Sequence, residues 1–349
     1  MSRPESIAII GCGWAGRRHA QACAELGVQV AWAVDVDDQR AASLPGYPGR
    51  ARVATDYAVA LSDPAVDAVD ICLPHSLHAQ VAVEAAAAGK HILCEKPMAA
   101  SLAEADRMIE AADRAGVVLM IAEVVRFIPA YQQARELLDS GAIGKPALAQ
   151  CIRETDLARS FLEERPWFLS QEQAGGGIMM SGGIHDFETL RMLVGEIASV
   201  QALRAPQRFP RMEGDDTSVA LVRFQTGAVG TLVESFVMKS LTTASGQEAH
   251  VLRIDGDLGS LSVMDGTTIR LFSERVDLMI AGRPAEHSLL PPAADPFALE
   301  IEHFLDCVRS GREPITSGRD QRRPLEAVLA AYTSMATGQV VELPSGSGS

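Results

Sequence analysis

Ile7-Ala8-Ile9-Ile10-Gly11-Cys12-Gly13-Trp14-Ala15-Gly16 is the stretch that decides how this chain is read. A short apolar run, Ser6–Ile10, enters a Gly-x-Gly-x-x-Gly turn. Helical spacing then follows over Ala15–Leu26, with Ala20, Cys23, Ala24 and Leu26 available to face a sheet. Between a strand and a helix each glycine has a physical task. Gly11 permits the tight turn, Gly13 lets backbone approach a pyrophosphate with no Cβ in the way, and Gly16 allows close helix–strand packing. The helix N-terminus adds N–H donors and the positive end of its dipole. Cys12, Trp14 and Ala15 lie within the same turn. The next strand, Val28–Val34, ends at Asp35, where an acidic residue holds adenosine ribose hydroxyls and repels a 2′-phosphate. Arg40 is near but follows Asp37 and Asp38, so the pattern favours NAD over NADP.

Outward from the turn, strand-like and helix-like segments alternate. Val69–Leu73, His91–Cys94 and Val117–Ala122 read as strands, with helices over Leu77–Ala88 and Leu102–Ala115 between them. Short strands alternating with helices imply a parallel sheet covered on both faces. Past residue 125 the texture changes. Helical segments at Tyr131–Ser140 and Ile184–Leu193 are followed by grouped strands with turn signals from Ala198 to Phe272, then helices at Phe297–Val308 and Leu325–Met335. The expected fold class is α/β: an N-terminal Rossmann parallel sheet over 1–125, then an α+β domain with a large, mostly antiparallel open sheet over 126–344. Residues 345–349, Gly and Ser only, read as a flexible tail.

Composition bounds the function. The chain has 349 residues, 47% apolar and 22% charged, with a formal net charge of −14 and no Lys/Arg-rich block, which excludes a nucleic-acid partner and disfavours an anionic membrane. No apolar run approaches the roughly 18 residues that span a bilayer. The N-terminus lacks a secretory signal's apolar core, so the expected location is the cytoplasm. The six cysteines form no Cys-x-x-Cys and read as free thiols in a reducing compartment.

Glu95-Lys96-Pro97 sits at the carboxyl end of a parallel strand, the edge where open α/β sheets bind ligands. Taken with Gly11–His19, Asp35, Pro74–His78, Val125–Tyr131, Ser140–Gly144, Gly175–His185 and Thr337-Gly338, it resembles the Gfo/Idh/MocA family of sugar and inositol dehydrogenases over nearly the whole chain. The resemblance implies that Lys96 reaches substrate hydroxyl and nicotinamide, that Pro97 follows a cis bond, and that His185 is the general acid/base. It also implies a homodimer or homotetramer assembled through the open sheet. The chemistry asks for the same groups independently. Oxidising an alcohol needs a base of near-neutral pKa for the hydroxyl proton and a cation that stabilises the alkoxide-like oxygen.

One position departs from that family's pattern. Many members carry an Asp four residues before the histidine, where this chain has Ser181, whose hydroxyl cannot carry a carboxylate's charge. Asp186 would project about a quarter-turn from His185, and Glu188 falls on its face at i+3. Leu73, Pro74, His75 and His78 follow the third strand and are expected to flank the nicotinamide. His75 and His78 alone cannot fill a zinc shell, so no metal is expected. Arg126 and Trp167 are candidates for the cofactor and sugar pocket, since aromatic faces stack on pyranose C–H groups; packing is the alternative for both. Met179, Met180 and Tyr131 read as core. The expected function is hydride transfer between NAD(H) and a hydroxyl or carbonyl of a sugar, glycoside or cyclic polyol. Two alternatives stay open: glycoside cleavage through transient oxidation by tightly held NAD, and a non-catalytic dinucleotide-binding regulator.

Overall fold

The computed structural model describes residues 6–47, 50–156, 165–239 and 248–344; the tail at 345–349 lies outside them. Six strands, β1 (Ser6–Ile10), β2 (Gln29–Val34), β3 (Arg52–Ala54), β4 (Ala68–Ile71), β5 (His91–Glu95) and β6 (Leu119–Ala122), form one parallel sheet in the order β3-β2-β1-β4-β5-β6. The order reverses between β1 and β4, the switch point where a crevice opens at the carboxyl edge. Gly11, Cys72, Lys96 and Glu123 each stand just past the carboxyl end of one of these strands. The helices His75–Ala87 and Leu102–Ala115 lie where the apolar spacing puts them. Ser101 Oγ caps the latter by accepting from Glu104 N, and Gly116 ends it in the left-handed conformation. β3 has no counterpart in the sequence reading, being three residues long and largely exposed.

The second sheet has nine strands: β7 (Pro146–Glu154), β8 (Ile197–Arg204), β9 (Thr217–Phe224), β10 (Val229–Ser235), β11 (Ala249–Gly256), β12 (Gly259–Met264), β13 (Thr268–Ser273), β14 (Ala285–Leu289) and β15 (Val341–Glu342). Every pairing is antiparallel except β7 with β10, so the expected antiparallel sheet is mixed at its centre. In β9 Ser218, Ala220, Val222 and Phe224 are buried while Val219, Leu221 and Arg223 face outward, the period-two pattern of a sheet packed on one side only. The helices Pro129–Asp139, Gly183–Val194 and Gly318–Thr337 cover the packed side. The last of these starts seven residues before the expected Leu325. Ser317 Oγ caps it by accepting from Asp320 N, and Pro324 sits inside it.

Helix Pro296–Ser310 comes late in the chain yet packs on Trp14–Glu25. Its Ile301, Phe304 and Leu305 join Ile7, Ile9, Cys23, Leu93 and Met120 in one buried cluster. β1–β6 end at Ala122 and β7 begins at Pro146, so the two sheets are consecutive in the chain while the helical layers are not. Phe304 is fully buried there. Phe304→Ala is expected to cost about 3–5 kcal/mol in denaturant unfolding; a loss below about 1 kcal/mol would mean that this helix does not close the sheet.

Candidate active site

The glycine turn is built as its spacing demands. Gly11 has φ +98°, and a Cβ there would lie 2.2 Å from the Cys72 carbonyl oxygen; one on Gly16 would lie 1.9 Å from the carbonyl oxygen of Gly11. A Cβ on Gly13 would meet nothing within 4 Å, so that backbone faces open space. Asp35 is buried and aimed: its Oδ2 accepts from Cys12 N at 2.8 Å and its Oδ1 from Asp37 N at 3.0 Å, with Arg40 Nη1 3.9 Å away. The turn, the helix start and this carboxylate fit a dinucleotide, with Gly13 and the N-terminal amides toward the pyrophosphate and Asp35 toward the ribose.

At the end of β5 the Lys96–Pro97 peptide is cis, and Lys96 Nζ donates to the Ser181 carbonyl at 2.7 Å. That contact joins the parallel sheet to the glycine-rich segment one turn before His185. Burial pushes the Lys96 ammonium below its ordinary range, against the pull of Glu95 and Glu123. Beneath it runs a buried chain of alternating charge. Glu95 accepts from Lys96 N at 3.0 Å and stands 3.5 Å from His19 Nε2, while His19 Nδ1 is 2.9 Å from Asp70. Burial alone would lower His19, but Asp70 carries it well above the ordinary histidine range. Burial would raise Glu95, but the His19 ring 3.5 Å away, with Lys96 beside it, holds it at about 2.

His185 opens onto the same place, its side chain 15% exposed. Its Nδ1 meets the carboxyl of Glu123, the residue that follows β6 and is itself fully buried. Burial, with Lys96 and Arg153 near, pushes His185 well below its ordinary value. Burial raises Glu123 to about 8 against the pull of Lys96. A neutral imidazole from a helix and a lysine N–H from the end of β5 can share one alcohol or carbonyl oxygen as proton acceptor and hydrogen-bond donor.

The other sequence candidates divide. Ser181 Oγ donates to Gly177 O at 2.9 Å within its own turn, so only its carbonyl addresses Lys96. His78 has both ring nitrogens on backbone carbonyls, Pro97 O at 2.9 Å and Leu73 O at 2.8 Å, and so pins the Lys96–Pro97 loop to the end of β4. His75 Nδ1 lies on Ala174 O at 2.7 Å, and its ring meets Trp167 edge-on at 4.7 Å. Trp167 in turn stacks on Phe168. Arg126 donates to Glu188 at 2.8 Å within a network that includes Arg191 and Asp320. Asp186 is turned into the interior, on Arg153 at 2.6 Å and His250 at 3.0 Å. Two close His/Cys/acid groups, His19–Asp70–Cys72 and Cys151–Asp186–His250, have metal-like spacing. In each the carboxylate is already matched by His19 or Arg153.

Sequence reasoning missed Glu123, His19, Arg153 and Arg165. Arg165 places its guanidinium 4.5 Å from the Trp14 ring, reaching the glycine turn from the second half of the chain. Glu123 was accessible by the signal that found Asp35, a charged residue directly after an apolar parallel strand. Arg153 could not be found that way, because its strand was not anticipated.

A six-stranded Rossmann sheet with this turn, whose carboxyl-edge Lys96 contacts the approach to the His185 helix, defines a dinucleotide-binding oxidoreductase. Residues 6–123 match the family described as "Oxidoreductase family, NAD-binding Rossmann fold" and residues 131–262 match the "GFO/IDH/MocA C-terminal domain". The chain is 30% identical over 353 residues to scyllo-inositol 2-dehydrogenase (NAD(+)) of Bacillus subtilis, covering 98% of this chain and 97% of that protein. It is 29% identical over 342 residues to myo-inositol 2-dehydrogenase of Thermotoga maritima, covering 97% and 98%. Among solved structures, levoglucosan dehydrogenase in complex with NADH and levoglucosan has the same fold, with a TM-score of 0.86 at 23% identity over 97% of this chain and 99% of the other. The chain belongs to the GFO/IDH/MocA oxidoreductase family.

Two alanine substitutions separate packing from ligand approach in the turn. Gly16→Ala should lower stability by about 1–3 kcal/mol through forced backbone movement, and weaken NADH binding with it. Gly13→Ala should cost about 1 kcal/mol or less as a weaker helix cap, yet weaken NADH binding tenfold or more, about 1.4 kcal/mol. Fluorescence titration beside thermal unfolding checks both; full binding by the Gly13 variant would remove that backbone from the pyrophosphate path.

Proposed function

We propose that this chain transfers a hydride between NAD(H) and a hydroxyl or carbonyl carbon of a cyclic polyol, sugar or glycoside, with Lys96 and His185 at the reacting oxygen. The observation that carries the reading is the contact of Lys96, at the end of β5, with the approach to the His185 helix: Lys96 Nζ rests on the carbonyl of Ser181, and His185 follows one helical turn later. The inositol-dehydrogenase names of the two curated relatives support the substrate class.

The nicotinamide, when bound, supplies the carbon that takes or gives the hydride. In oxidation, the neutral imidazole of His185 takes the hydroxyl proton, and Lys96 donates a hydrogen bond to the oxygen as negative charge develops on it. In reduction, His185 returns the proton and Lys96 polarises the carbonyl. Trp167, edge-on to His75 beside the site, offers an aromatic wall to a sugar ring.

The anchored Asp35 favours NAD over NADP, because a 2′-phosphate would meet a carboxylate that Arg40 only partly offsets. The open face of the larger sheet carries Leu203, Val219, Leu221, Val229 and Phe272 exposed, which supports a homodimer or homotetramer assembled there. All six cysteines are free, as a reducing cytoplasm would keep them, and no helix among the described residues is long and apolar enough to cross a membrane.

A panel of inositols, hexoses and glycosides with NAD⁺ or NADP⁺ should yield reduced cofactor with at least one compound, and faster with NAD⁺. Lys96→Ala should lower kcat/KM on that compound by about 10²–10³. Unchanged turnover by this variant would overturn the role given to Lys96.

A further inference from the structure

Glu123 lies outside the glycine turn, the Glu95-Lys96-Pro97 set and the His185 helix. It follows β6 directly, is 0% exposed, and rests one carboxyl oxygen on His185 Nδ1, while Oε2 has no hydrogen-bond partner among the described residues. A carboxyl group so enclosed is costly unless a proton or a nearby cation matches it. The charged groups about the pair are Glu95 and Lys96 at the end of β5, Arg153 of β7, Asp186 on the histidine's own helix, and Glu300 of helix Pro296–Ser310. Ser181 cannot take over the task, because its hydroxyl is committed to Gly177 O.

We infer that Glu123 is the positioning carboxylate of this site: by holding Nδ1 of His185 it leaves Nε2 as the nitrogen that exchanges a proton with the substrate oxygen. The inference rests on the hydride-transfer reading above. In oxidation the substrate O–H bond breaks and its proton passes to Nε2. The electron pair of the C–H bond leaves with the hydride for the bound dinucleotide. Glu123, raised to about 8, serves this step once it has lost its own proton: ionised, it accepts from the Nδ1–H of the resulting imidazolium and offsets a charge that Lys96 and Arg153 disfavour, so oxidation gains as pH rises through about 8. Reduction reverses each step. A neutral amide at this position could accept from Nδ1 or donate to it, so it would neither select the tautomer nor balance the charge. The carboxylate comes from the Rossmann sheet and the imidazole from the second half of the chain, so the pair forms only where the two halves meet.

Two readouts on Glu123→Gln test this. With a turned-over polyol, kcat should fall by about 10²-fold or more while KM and NADH affinity stay within about threefold. In the cofactor-free chain, C2-proton exchange of His185 followed by mass spectrometry against pH should show, beside the ring's own midpoint, a second inflection near 8 where Glu123 ionises against it, and Glu123→Gln should lack that inflection. Glu123→Asp keeps the charge one methylene short. It should lower kcat yet keep a second inflection, and it serves as the test should the amide variant fail to fold. The same second inflection in Glu123→Gln together with kcat within threefold of the parent would overturn the inference. The exchange measurement needs neither cofactor nor polyol. A parent chain that oxidised nothing would therefore defeat the hydride-transfer reading and leave the Glu123–His185 pair to be decided by exchange alone.

Discussion

The hydrogen bond from the Lys96 ammonium to the Ser181 carbonyl, 2.7 Å long, is where the two halves of the molecule become one site. Lys96 stands at the carboxyl end of a parallel strand, and Ser181 belongs to the glycine-rich approach to the His185 helix. An ammonium drawn out of water at such a seam is tolerable only if anions and acceptors surround it. Here they do: Glu95 is its chain neighbour, Glu123 lies across the end of the next strand, and the Ser181 carbonyl faces it.

Those anions need support of their own, and the support runs inward. Glu95 is matched by His19, and His19 by Asp70 on the central strand β4. His78 fixes the loop that follows Lys96 by holding the Pro97 and Leu73 carbonyls from one ring. On the far side, Asp186, immediately after His185, is clamped by Arg153 and His250 on the larger sheet, so the helix carrying the imidazole is anchored by its adjacent residue. The cleft groups are thus set by ion pairs buried below them as well as by contacts with each other. Such geometry is ready before a substrate arrives.

Much of this was legible in the chain, for identifiable reasons. Parallel strands buried on both faces leave short apolar runs, and the residues just past their carboxyl ends are the ones that face a ligand; Gly11, Asp35 and Lys96 were found in that way. His185 could be placed only through the resemblance, since one histidine in a helix carries no local signature. Strand β7 was missed because Pro146–Glu154 mixes Gln150, Arg153 and Glu154 into an apolar stretch, and Arg153, on the buried face with Ala149 and Cys151, meets an ion-pair cluster that only the fold assembles. Pairs distant in sequence, such as Lys96 with the Ser181 carbonyl, depend on how the halves close. Spacing along the chain cannot supply that. The serine at 181 was noted as a lost carboxylate. In the fold a carboxylate does reach the imidazole, but it arrives from Glu123, 62 positions from His185 in the chain.

A crystal structure of the chain with NADH and a polyol that it turns over tests the convergence of these groups most directly. The account predicts one ligand oxygen within about 2.6–3.2 Å of both Lys96 Nζ and His185 Nε2, its carbon facing the nicotinamide. A polyol bound with its reacting oxygen away from either group, or an imidazole turned so that Nε2 faces the protein interior, would contradict it.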